Sequence, residues 1–334
     1  MQLFIATRGA YIHVFEEIFE IKTPEKKIQI APQKIESIIL AAPSAISTDA
    51  ISMALYHNID IVVMNEFGGP VGRFWHSKYG STAKIRRAQL EAYDTPVGME
   101  IIRELLGEKL SNQAKLLRRL GRARKEKKAE KLFEAAKRIT AVKRQVIKID
   151  GEIDEYRGIL MGHEGTASRI YFGALSNALP KKWQFKGRSR APAQDYFNAF
   201  LNYAYGVLYS ICEKSCVIAG LDPYVGFLHS DNYNKLSMVF DIIEPCRVWA
   251  EDVVVHLFSG RKIKDNMCDE VPLGYSLNKA GKMILMSKFN EYLDKVVTHR
   301  KRKLKRRDTV LHDCHQIANK LIKKNIRNTQ IREI

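Results

Sequence analysis

Three residues in the second half of the chain have side chains that suit metal chemistry. Glu164 lies in MGHEGTASR, His229 in GFLHSDN and Glu244 in DIIEPCR. Together they offer two carboxylates and one imidazole, a donor set that suits Mn²⁺ or Mg²⁺ better than structural zinc. A carboxylate-rich metal site in a basic protein indicates phosphodiester chemistry on nucleic acid, because a cation offsets the charge on the phosphate oxygens.

Each of these residues also has a purely structural explanation. We place Glu164 in the first turn of a helix, where a carboxylate complements the helix dipole. His229 follows the turn LDPYVG, and a histidine there is ordinarily a hydrogen-bonding residue. Glu244 lies on an apolar stretch, where a charge must be paired, with Arg247 for example, or bound to metal. Asp241 lies one helical turn earlier, where it would orient a metal ligand.

The chain is strongly basic. Its 334 residues include 55 Lys and Arg against 37 Asp and Glu, a formal net charge of +18. This excess of positive charge makes nucleic acid the default partner. A protein that contacts ribosomes or a membrane surface would also be basic. A non-catalytic nucleic-acid scaffold, in which the acids form structural pairs only, is the alternative to an enzyme.

Much of the positive charge is concentrated in two runs. Residues 115–128 contain eight basic residues and one acid, and residues 300–307 contain seven basic residues in eight. One such run is usually a solvated helix face, whereas two favour a surface that follows phosphates. A tail after Lys301 that orders only on binding is one interpretation of the second run. In the first run we predict contacts with the DNA backbone for Lys115, Arg118, Arg119 and Arg122.

Cysteine usage and the N-terminal sequence indicate an intracellular setting. The five cysteines form no CxxC pair and are odd in number, which argues against a disulfide framework and a zinc knuckle. The first residues, MQLFIATRGAYIHVF, lack the basic start and long apolar stretch of a signal peptide. No run approaches the roughly 20 apolar residues that a membrane span needs. We therefore expect a cytoplasmic protein without a membrane partner.

Short runs of Ile, Val and Phe predict a β-rich start. LFIA, YIHVF, IFEIK, KIQIA and IESIILAA are separated by turn-like breaks, and IDIVVM and VGRFWH follow later. Between them, TDAISMALYHN predicts a short helix that Thr48 or Asp49 would cap.

From about Ala83 the apolar period changes to that of helices. A stripe from Ile101 to Leu120 predicts one helix. Further helices are predicted over 129–149, 163–178 and 192–219, the last with Pro192 in its first turn and Gly220 as its stop. The predicted fold class is α+β. It comprises a small β-rich domain over 1–80, a linker over 81–90, and a larger all-α domain over 91–334 with a basic C-terminal region.

Several longer motifs resemble those of one family, the CRISPR-associated endonuclease/integrase of the adaptation step, which inserts new spacers into a CRISPR array. The resemblance covers nearly the whole chain, and its last three segments, in this order, are highly specific. The segments are ISTDAISMALYHNIDIVVMNEFGGPVG near the start, KLSNQAKLL at 109–117, LMGHEGTASRIYF at 160–172, PAQDYFNAFLNYAYGVL at 192–208 and GFLHSDNYNKLSMVFDIIEPCRVWAED at 226–252.

The resemblance implies a metal-dependent enzyme that cleaves and transesterifies phosphodiester bonds of DNA. It implies that Mn²⁺ or Mg²⁺ is bound by Glu164, His229 and Glu244, although the sequence leaves open whether His229 also transfers protons. It further implies supporting or substrate-binding roles for Asp241, Arg247, Arg169, Asn198 and Asn202.

The resemblance also implies a set of partners. Two homodimers, each formed through the β domain, would flank a dimer of a small ferredoxin-like second adaptation protein. The assembly would hold double-stranded DNA, the protospacer, and join its 3′ ends to the CRISPR repeat. An RNA-directed nuclease is a second rival to this hypothesis, beside the non-catalytic scaffold.

Overall fold

The chain divides into two compact units, each built from separate segments. The computed structural model describes residues 1–75, 83–190, 192–229 and 235–331. The first unit combines Met1–Lys78 with Ser189–Ser210 and Ile263–Glu291. The second unit combines Tyr79–Arg188, Ile211–Lys262 and Tyr292–Ile334.

Short strands dominate the first 75 residues, as the runs of Ile, Val and Phe predict. One helix, α1 (Thr48–Tyr56), interrupts them. The strands are β1 (Gln2–Ile5), β2 (Tyr11–Phe15), β3 (Ile18–Lys22), β4 (Lys27–Ile30), β5 (Ser37–Leu40), β6 (Ala45–Ile46), β7 (Asp60–Met64) and β8 (Pro70–Phe74).

These strands form two four-stranded sheets. The first has the order β1-β5-β7-β8, with β8 antiparallel to an otherwise parallel sheet. The second has the order β4-β3-β2-β6, in which only β6 runs parallel to its neighbour. The two sheets and α1 share a core that contains Ile12, Phe19, Ile38, Ala50 and Ile61.

Ser47 caps α1 by accepting a hydrogen bond from the backbone of Ala50, so the predicted cap at Thr48 or Asp49 is wrong by one or two residues.

Long amphipathic helices follow. The first of them, α2, includes residues 83–90 of the segment that was predicted as a linker; residues 81 and 82 lie outside the described part of the chain. The helices up to residue 190 are α2 (Ala83–Ala92), α3 (Pro96–Arg122), α4 (Glu126–Val146) and α5 (Ile153–Ala178).

The remainder of the chain alternates helices with two antiparallel hairpins, β9–β10 and β11–β12. The α+β class is confirmed, and the two hairpins are additions that the prediction of an all-α region missed. The elements are α6 (Tyr196–Ile218), α7 (Ser237–Ile243), α8 (Arg247–Ser259), β9 (Cys268–Val271), β10 (Gly274–Leu277), α9 (Lys279–Asp294), β11 (Val296–His299), β12 (Arg302–Lys305) and α10 (Arg306–Ile331).

Helix α6 ends as predicted but begins later. Its stop is Gly220, which adopts the left-handed conformation (φ +83°) that favours glycine. Its start is not at Pro192, because the Asp195 carboxylate accepts a hydrogen bond from the backbone of Asn198 and so caps the helix three residues later.

Helix α5 begins earlier than predicted, at Ile153 rather than near residue 163. Glu164 therefore lies in the middle of a helix and not in its first turn. The suggestion that Glu164 complements the helix dipole is wrong, since that effect is confined to the terminal turns.

The basic C-terminal segment is not a tail without structure. Residues after Lys301 form β12 and the 26-residue helix α10. Within the described ranges, no helix is both long and apolar enough to cross a bilayer.

Candidate functional site

Two of the three predicted metal ligands meet in the second unit at a buried lysine. The Lys109 Nζ atom lies 2.5 Å from Glu164 Oε1, to which it donates a hydrogen bond, and 2.5 Å from Glu244 Oε2. The two carboxylate oxygens are therefore no more than about 5 Å apart. Only 4% of the Lys109 side chain is exposed, so this positive charge is balanced almost entirely by protein groups.

Three elements bring these side chains together. Lys109 projects from α3, Glu164 from α5, and Glu244 from the 3-10 turn Glu244–Cys246 that follows α7. Pro245 interrupts the hydrogen bonding of α7 because proline has no backbone N–H, although Glu244 before it keeps helical angles (φ −53°, ψ −47°). The Asn112 side chain of α3 donates a hydrogen bond to the Pro245 carbonyl (3.1 Å), which fixes the turn next to Lys109.

Asp241 positions the third predicted ligand, His229. Its Oδ2 accepts hydrogen bonds from the backbone N–H groups of Phe227 (2.7 Å) and Leu228 (3.1 Å). Its Oδ1 accepts from the backbone of His229 (3.2 Å) and lies 2.6 Å from His229 Nδ1. A carboxylate accepts hydrogen bonds, so this contact favours a proton on Nδ1, and the lone pair of a neutral ring is then on Nε2. Asp241 thus orients the ring, and its support of a bound metal stays a prediction.

Close packing also supports the His229 loop. A Cβ atom on Gly226 would lie 2.6 Å from the Ser237 side chain and 3.0 Å from the His229 carbonyl oxygen. Only glycine therefore allows the loop to lie this close to the start of α7. The backbone of Met238 further holds the loop by donating to the Pro223 carbonyl (3.0 Å).

The charges around Glu244 are balanced. Arg247 Nε donates a hydrogen bond to Glu244 Oε1 (2.8 Å), which realises the predicted Glu244–Arg247 pair. Burial alone would raise the pKa of Glu244, but Arg247 and Lys109 outweigh it and lower the pKa to about 2. Burial likewise disfavours the charged form of Lys109, but Glu244 and Glu164 prevail and raise its pKa. Glu244 and Lys109 are consequently both charged near neutral pH.

Glu164 and Glu244 are neighbours, but the three predicted ligands do not form a closed cluster. His229 is near enough to contribute to the lowered pKa of Glu244. Among the described residues, however, the group whose ligand atoms all lie within 4.8 Å of one another is a different one, His299, His312 and Asp313. The ammonium of Lys109 lies between the two acids, which accounts for their separation.

The other predicted site residues lie in less informative surroundings. Arg169 is exposed and lies five residues after Glu164, about 140° round the helix from it. Asn198 and Asn202 belong to the first unit: Asn198 bonds Asp195 (2.7 Å), and Asn202 donates to the backbone carbonyls of residues 189 and 190 (3.2 Å each). Both asparagines therefore have structural roles, and substrate contacts by these three residues stay predictions.

The four predicted DNA-contacting residues of α3 fall into two pairs. Arg118 donates to the Thr140 hydroxyl (2.8 Å), and Arg119 forms an ion pair with Asp252. Lys115 and Arg122 are exposed and seven residues apart, so they share one helix face. Lys115 and Arg122 thus fit a phosphate-binding surface better than the other pair.

Lys109 is the functional residue that the sequence prediction did not single out, although a signal for it exists. Seven residues of α3 at alternating spacings of three and four are all buried, and Lys109 and Gln113 are the two polar members. A lysine in such a stripe needs an anionic partner. The full set is Met99, Ile102, Leu106, Lys109, Gln113, Leu116 and Leu120.

Comparison with known proteins identifies the family. The sequence model described as CRISPR associated protein Cas1 matches residues 3–291. The CRISPR-associated endonuclease Cas1 1 of Archaeoglobus fulgidus is 34% identical over 316 residues, which cover 91% of each chain. The CRISPR-associated endonuclease Cas1 2 of Saccharolobus solfataricus is 32% identical over 263 residues, 78% of this chain and 77% of that one.

Solved structures share the fold. A casposase bound to its integration product matches with a TM-score of 0.84 and 21% identity, over 97% of this chain and 91% of that one. A CAS1 protein from Thermotoga maritima matches with a TM-score of 0.80 and 20% identity, over 96% and 97% of the two chains.

These findings define the chain as a CRISPR-associated protein whose relatives named above are endonucleases. It belongs to the Cas1 family. The family predicted from the motifs, and with it the general function in CRISPR adaptation, is confirmed.

Proposed function

We propose that the chain is a divalent-metal-dependent DNA endonuclease and integrase that joins the 3′ ends of short duplexes to CRISPR repeat DNA. The observation that carries this proposal is the convergence of Glu164 and Glu244 on one buried cationic group, next to a histidine whose orientation Asp241 fixes. Structural pairing alone would not require the oriented histidine.

The residues fit a divalent ion. Glu164 and Glu244 supply the hard oxygen ligands that Mg²⁺ and Mn²⁺ prefer, and His229 Nε2 supplies a nitrogen that Mn²⁺ accepts more readily. Lys109 marks a point where the protein already balances positive charge with two carboxylates. When bound, such an ion would polarise the scissile phosphate.

The remaining residues have positioning and electrostatic roles. Asp241 holds His229 in the tautomer that presents Nε2. Arg247 keeps Glu244 ionised and directed toward the site. Lys109 offsets the repulsion between the Glu164 and Glu244 carboxylates and so holds the two proposed ligands close together. His229 acts as a ligand, and proton transfer by its ring is a separate property that pH profiles would report.

The proposed partners are double-stranded DNA, a second copy of the chain and the small second adaptation protein. The net charge of +18 supports DNA. Solved structures of the same fold include a Cas6-RT-Cas1–Cas2 complex (TM-score 0.78, 20% identity, 97% of this chain and 35% of that one) and a TtCas1–DNA complex (TM-score 0.60, 13% identity, 96% and 91%). A homodimer formed through the N-terminal sheets, as the resemblance implies, completes the proposal.

The test is strand transfer of a short duplex into supercoiled DNA that carries a repeat, with Mn²⁺ or Mg²⁺. Glu164→Gln and Glu244→Gln should each lower the transfer rate by at least roughly 100-fold, since removal of a ligating oxygen costs more than loss of an outer hydrogen bond. Glu155→Gln, an exposed position on the same helix α5, is the matched control.

Three results would contradict the proposal. Wild-type rates of transfer and cleavage in both Glu164→Gln and Glu244→Gln would refute the site. DNA binding by the wild-type chain without any metal-dependent product would favour the non-catalytic scaffold, and preferential cleavage of competing RNA would favour an RNA-directed nuclease.

A further inference from the structure

A second group of metal-binding side chains lies in the C-terminal part of the second unit. Asp313 Oδ1 is 2.8 Å from His299 Nε2 and 3.8 Å from His312 Nδ1. The ligand atoms of all three residues lie within 4.8 Å of one another. The group shares no residue with Glu164, His229 and Glu244.

The fold holds this cluster between two elements. His299 is the last residue of β11, and it pairs with Arg302 across a two-residue turn. His312 and Asp313 lie in the second turn of α10. The cluster therefore joins the tip of the β11–β12 hairpin to the helix that follows it.

The turn itself is in a disfavoured conformation. Arg300 (φ 46°) and Lys301 (φ 69°) both adopt left-handed backbone angles, as a type I′ hairpin turn requires. Gly and Asn are the residues that usually occupy such positions. A sequence without them needs other contacts to hold the turn, and the cluster at His299 is adjacent to it.

His312 lacks a hydrogen bond where one is expected. Its Nδ1 atom is buried and has no hydrogen-bond partner among the described residues. Its ring, 12% exposed, meets that of His299 edge to face with centroids 5.6 Å apart. A buried ring nitrogen without a partner is costly, and a metal ion satisfies it.

We propose that His299, His312 and Asp313 bind a zinc-class divalent transition metal that fastens the β11–β12 turn to α10. Two imidazoles and one carboxylate are a recurrent zinc ligand set, whereas Mg²⁺ requires oxygen ligands almost throughout. Ligand atoms around tetrahedral zinc lie about 3.3 Å apart, and the observed 2.8 and 3.8 Å bracket that spacing. The ligand atoms of His299 and His312 lie within 4.8 Å of each other, so side-chain shifts would bring all three residues to this spacing.

Space for a fourth ligand is present. Asp313 and Arg300 line a cavity of about 390 Å³ that Glu108 also lines. Water or the Glu108 carboxylate, which belongs to α3, would fill the fourth position.

The competing explanation is an ion-pair network without metal. Arg300 Nε donates to Asp313 Oδ1 (3.0 Å), the same oxygen that contacts His299. Arg300 is half exposed and lies on the turn, so it can swing outward when a cation binds. The network accounts for Asp313 and His299, but it leaves His312 Nδ1 without a role.

The consequence concerns the basic run at residues 300–307. A metal at this cluster would fix the turn residues Arg300 and Lys301 and the first turn of α10. The positive charges of this run would then be presented on a rigid hairpin, and DNA could bind them at a lower cost in conformational entropy.

Zinc titration of the full-length chain tests the proposal. Chelator-treated protein in excess Mg²⁺, which occupies hard oxygen sites, is titrated with Zn²⁺ by calorimetry. The wild-type chain should bind one Zn²⁺ at this cluster at least tenfold more tightly than His312→Gln or Asp313→Asn. His57→Gln, at an exposed histidine of the first unit, should bind like the wild type.

Equal zinc affinity in the wild type, His312→Gln and Asp313→Asn would overturn the proposal. A measurement on the unmodified chain decides the matter if these variants do not fold. Nitrogen NMR of the histidine rings should show Zn²⁺-dependent shifts at His299 Nε2 and His312 Nδ1 at one equivalent of Zn²⁺. Shifts at other histidines only would refute the site, and neither result depends on the enzyme's activity.

Discussion

Lys109 is the residue that balances the negative charge of the two carboxylates in the candidate metal centre. Two carboxylates this close together, one of them buried, repel each other strongly, and the ammonium between them offsets that repulsion. Arg247 offsets part of the charge of Glu244 as well. The stability of the helical unit is thus linked to the total positive charge at this point, whichever group supplies it.

Replacing this lysine should make the chain depend on a divalent ion for its stability. Lys109→Met retains the length of the side chain and removes its charge, and loss of one member of a buried ion pair costs about 3–5 kcal/mol. An ion bound by Glu164 and Glu244 would restore the charge. We expect a lower Tm for Lys109→Met without metal, and a larger increase in Tm on addition of Mn²⁺ than in the wild type.

The matched control is Lys115→Met, which removes an exposed lysine from the same helix. Its Tm, with and without Mn²⁺, should stay close to that of the wild type. Equal Mn²⁺-induced increases in Tm for the wild type and Lys109→Met would show that the ion and the ammonium do not act at the same point.

The sequence predicts the ligands of this site better than their environment. Motifs identify Glu164, His229 and Glu244 because glycine and proline neighbours make these segments distinctive. The approach of Lys109 to both acids depends on how α3 packs between α5 and the turn after α7, and a local pattern does not specify that packing. Lys109 would be found only by asking why a lysine occupies an apolar stripe.

At the scale of elements, the prediction is accurate for periodic segments and poor for their ends. Helix α3 and the strands of the first 75 residues follow from apolar periodicity. The start of α5 was missed because the Gly and charged residues after Ile153 interrupt its apolar stripe. Helix α10 was missed because its basic start obscures a buried stripe at helical spacing, formed by Val310, Cys314, Ala318 and Leu321.

The basic residues at the end of α3 fall into two groups, those that bond to other protein groups and those that face solvent. Arg118 and Arg119 are turned toward Thr140 and Asp252, so the charge count of the run overstates its capacity to bind phosphate. Lys115 and Arg122 face solvent from one side of the helix. The predicted DNA surface is therefore narrower than the run that suggested it.

The salt dependence of DNA binding should show whether the face with Lys115 and Arg122 contacts phosphates. The double variant Lys115→Gln/Arg122→Gln should lower the slope of log K against log salt by about two units, roughly 0.9 for each phosphate that the variant no longer neutralises. Affinity would be measured by fluorescence anisotropy at several salt concentrations. The control Arg144→Gln/Lys148→Gln removes the same charge from exposed positions at the end of α4 and just after it.

An unchanged slope in Lys115→Gln/Arg122→Gln would mean that this face of α3 points away from DNA. Equal slope changes in the double variant and its control would mean that net charge, rather than this face, governs the salt dependence.

At the scale of the whole molecule, the N-terminal unit is not complete at residue 80. It also includes residues 189–210 and 263–291, which are far away in sequence. Arg73 of β8 donates a hydrogen bond to the Ser210 carbonyl of α6 (2.9 Å), and Phe4 of β1 meets Tyr203 edge to face. Composition along the chain predicts a boundary near residue 80, because it cannot show that later segments return to pack on the sheets.

Two glycines form a close backbone contact within this packing. A Cβ atom on Gly206 of α6 would lie 1.6 Å from the carbonyl oxygen of Gly68, in the turn between β7 and β8. Gly68 itself has a φ of +85° and lies against Tyr203, so the turn has no free space into which it could move. Backbone therefore meets backbone directly, and a side chain on either residue would separate them.

Adding one methyl group at this contact should destabilise the protein. Gly206→Ala should lower the free energy of unfolding by roughly 1–3 kcal/mol, the usual cost of overpacking, and despite the better helix propensity of alanine. The control Gly158→Ala lies on an exposed face of α5 with no atom within 4 Å of the added Cβ. The Gly158→Ala variant should be more stable than the wild type by about 0.5–1 kcal/mol. Urea unfolding followed by circular dichroism measures both, and a Gly206→Ala midpoint equal to or above that of the wild type would mean that α6 does not complete the N-terminal unit.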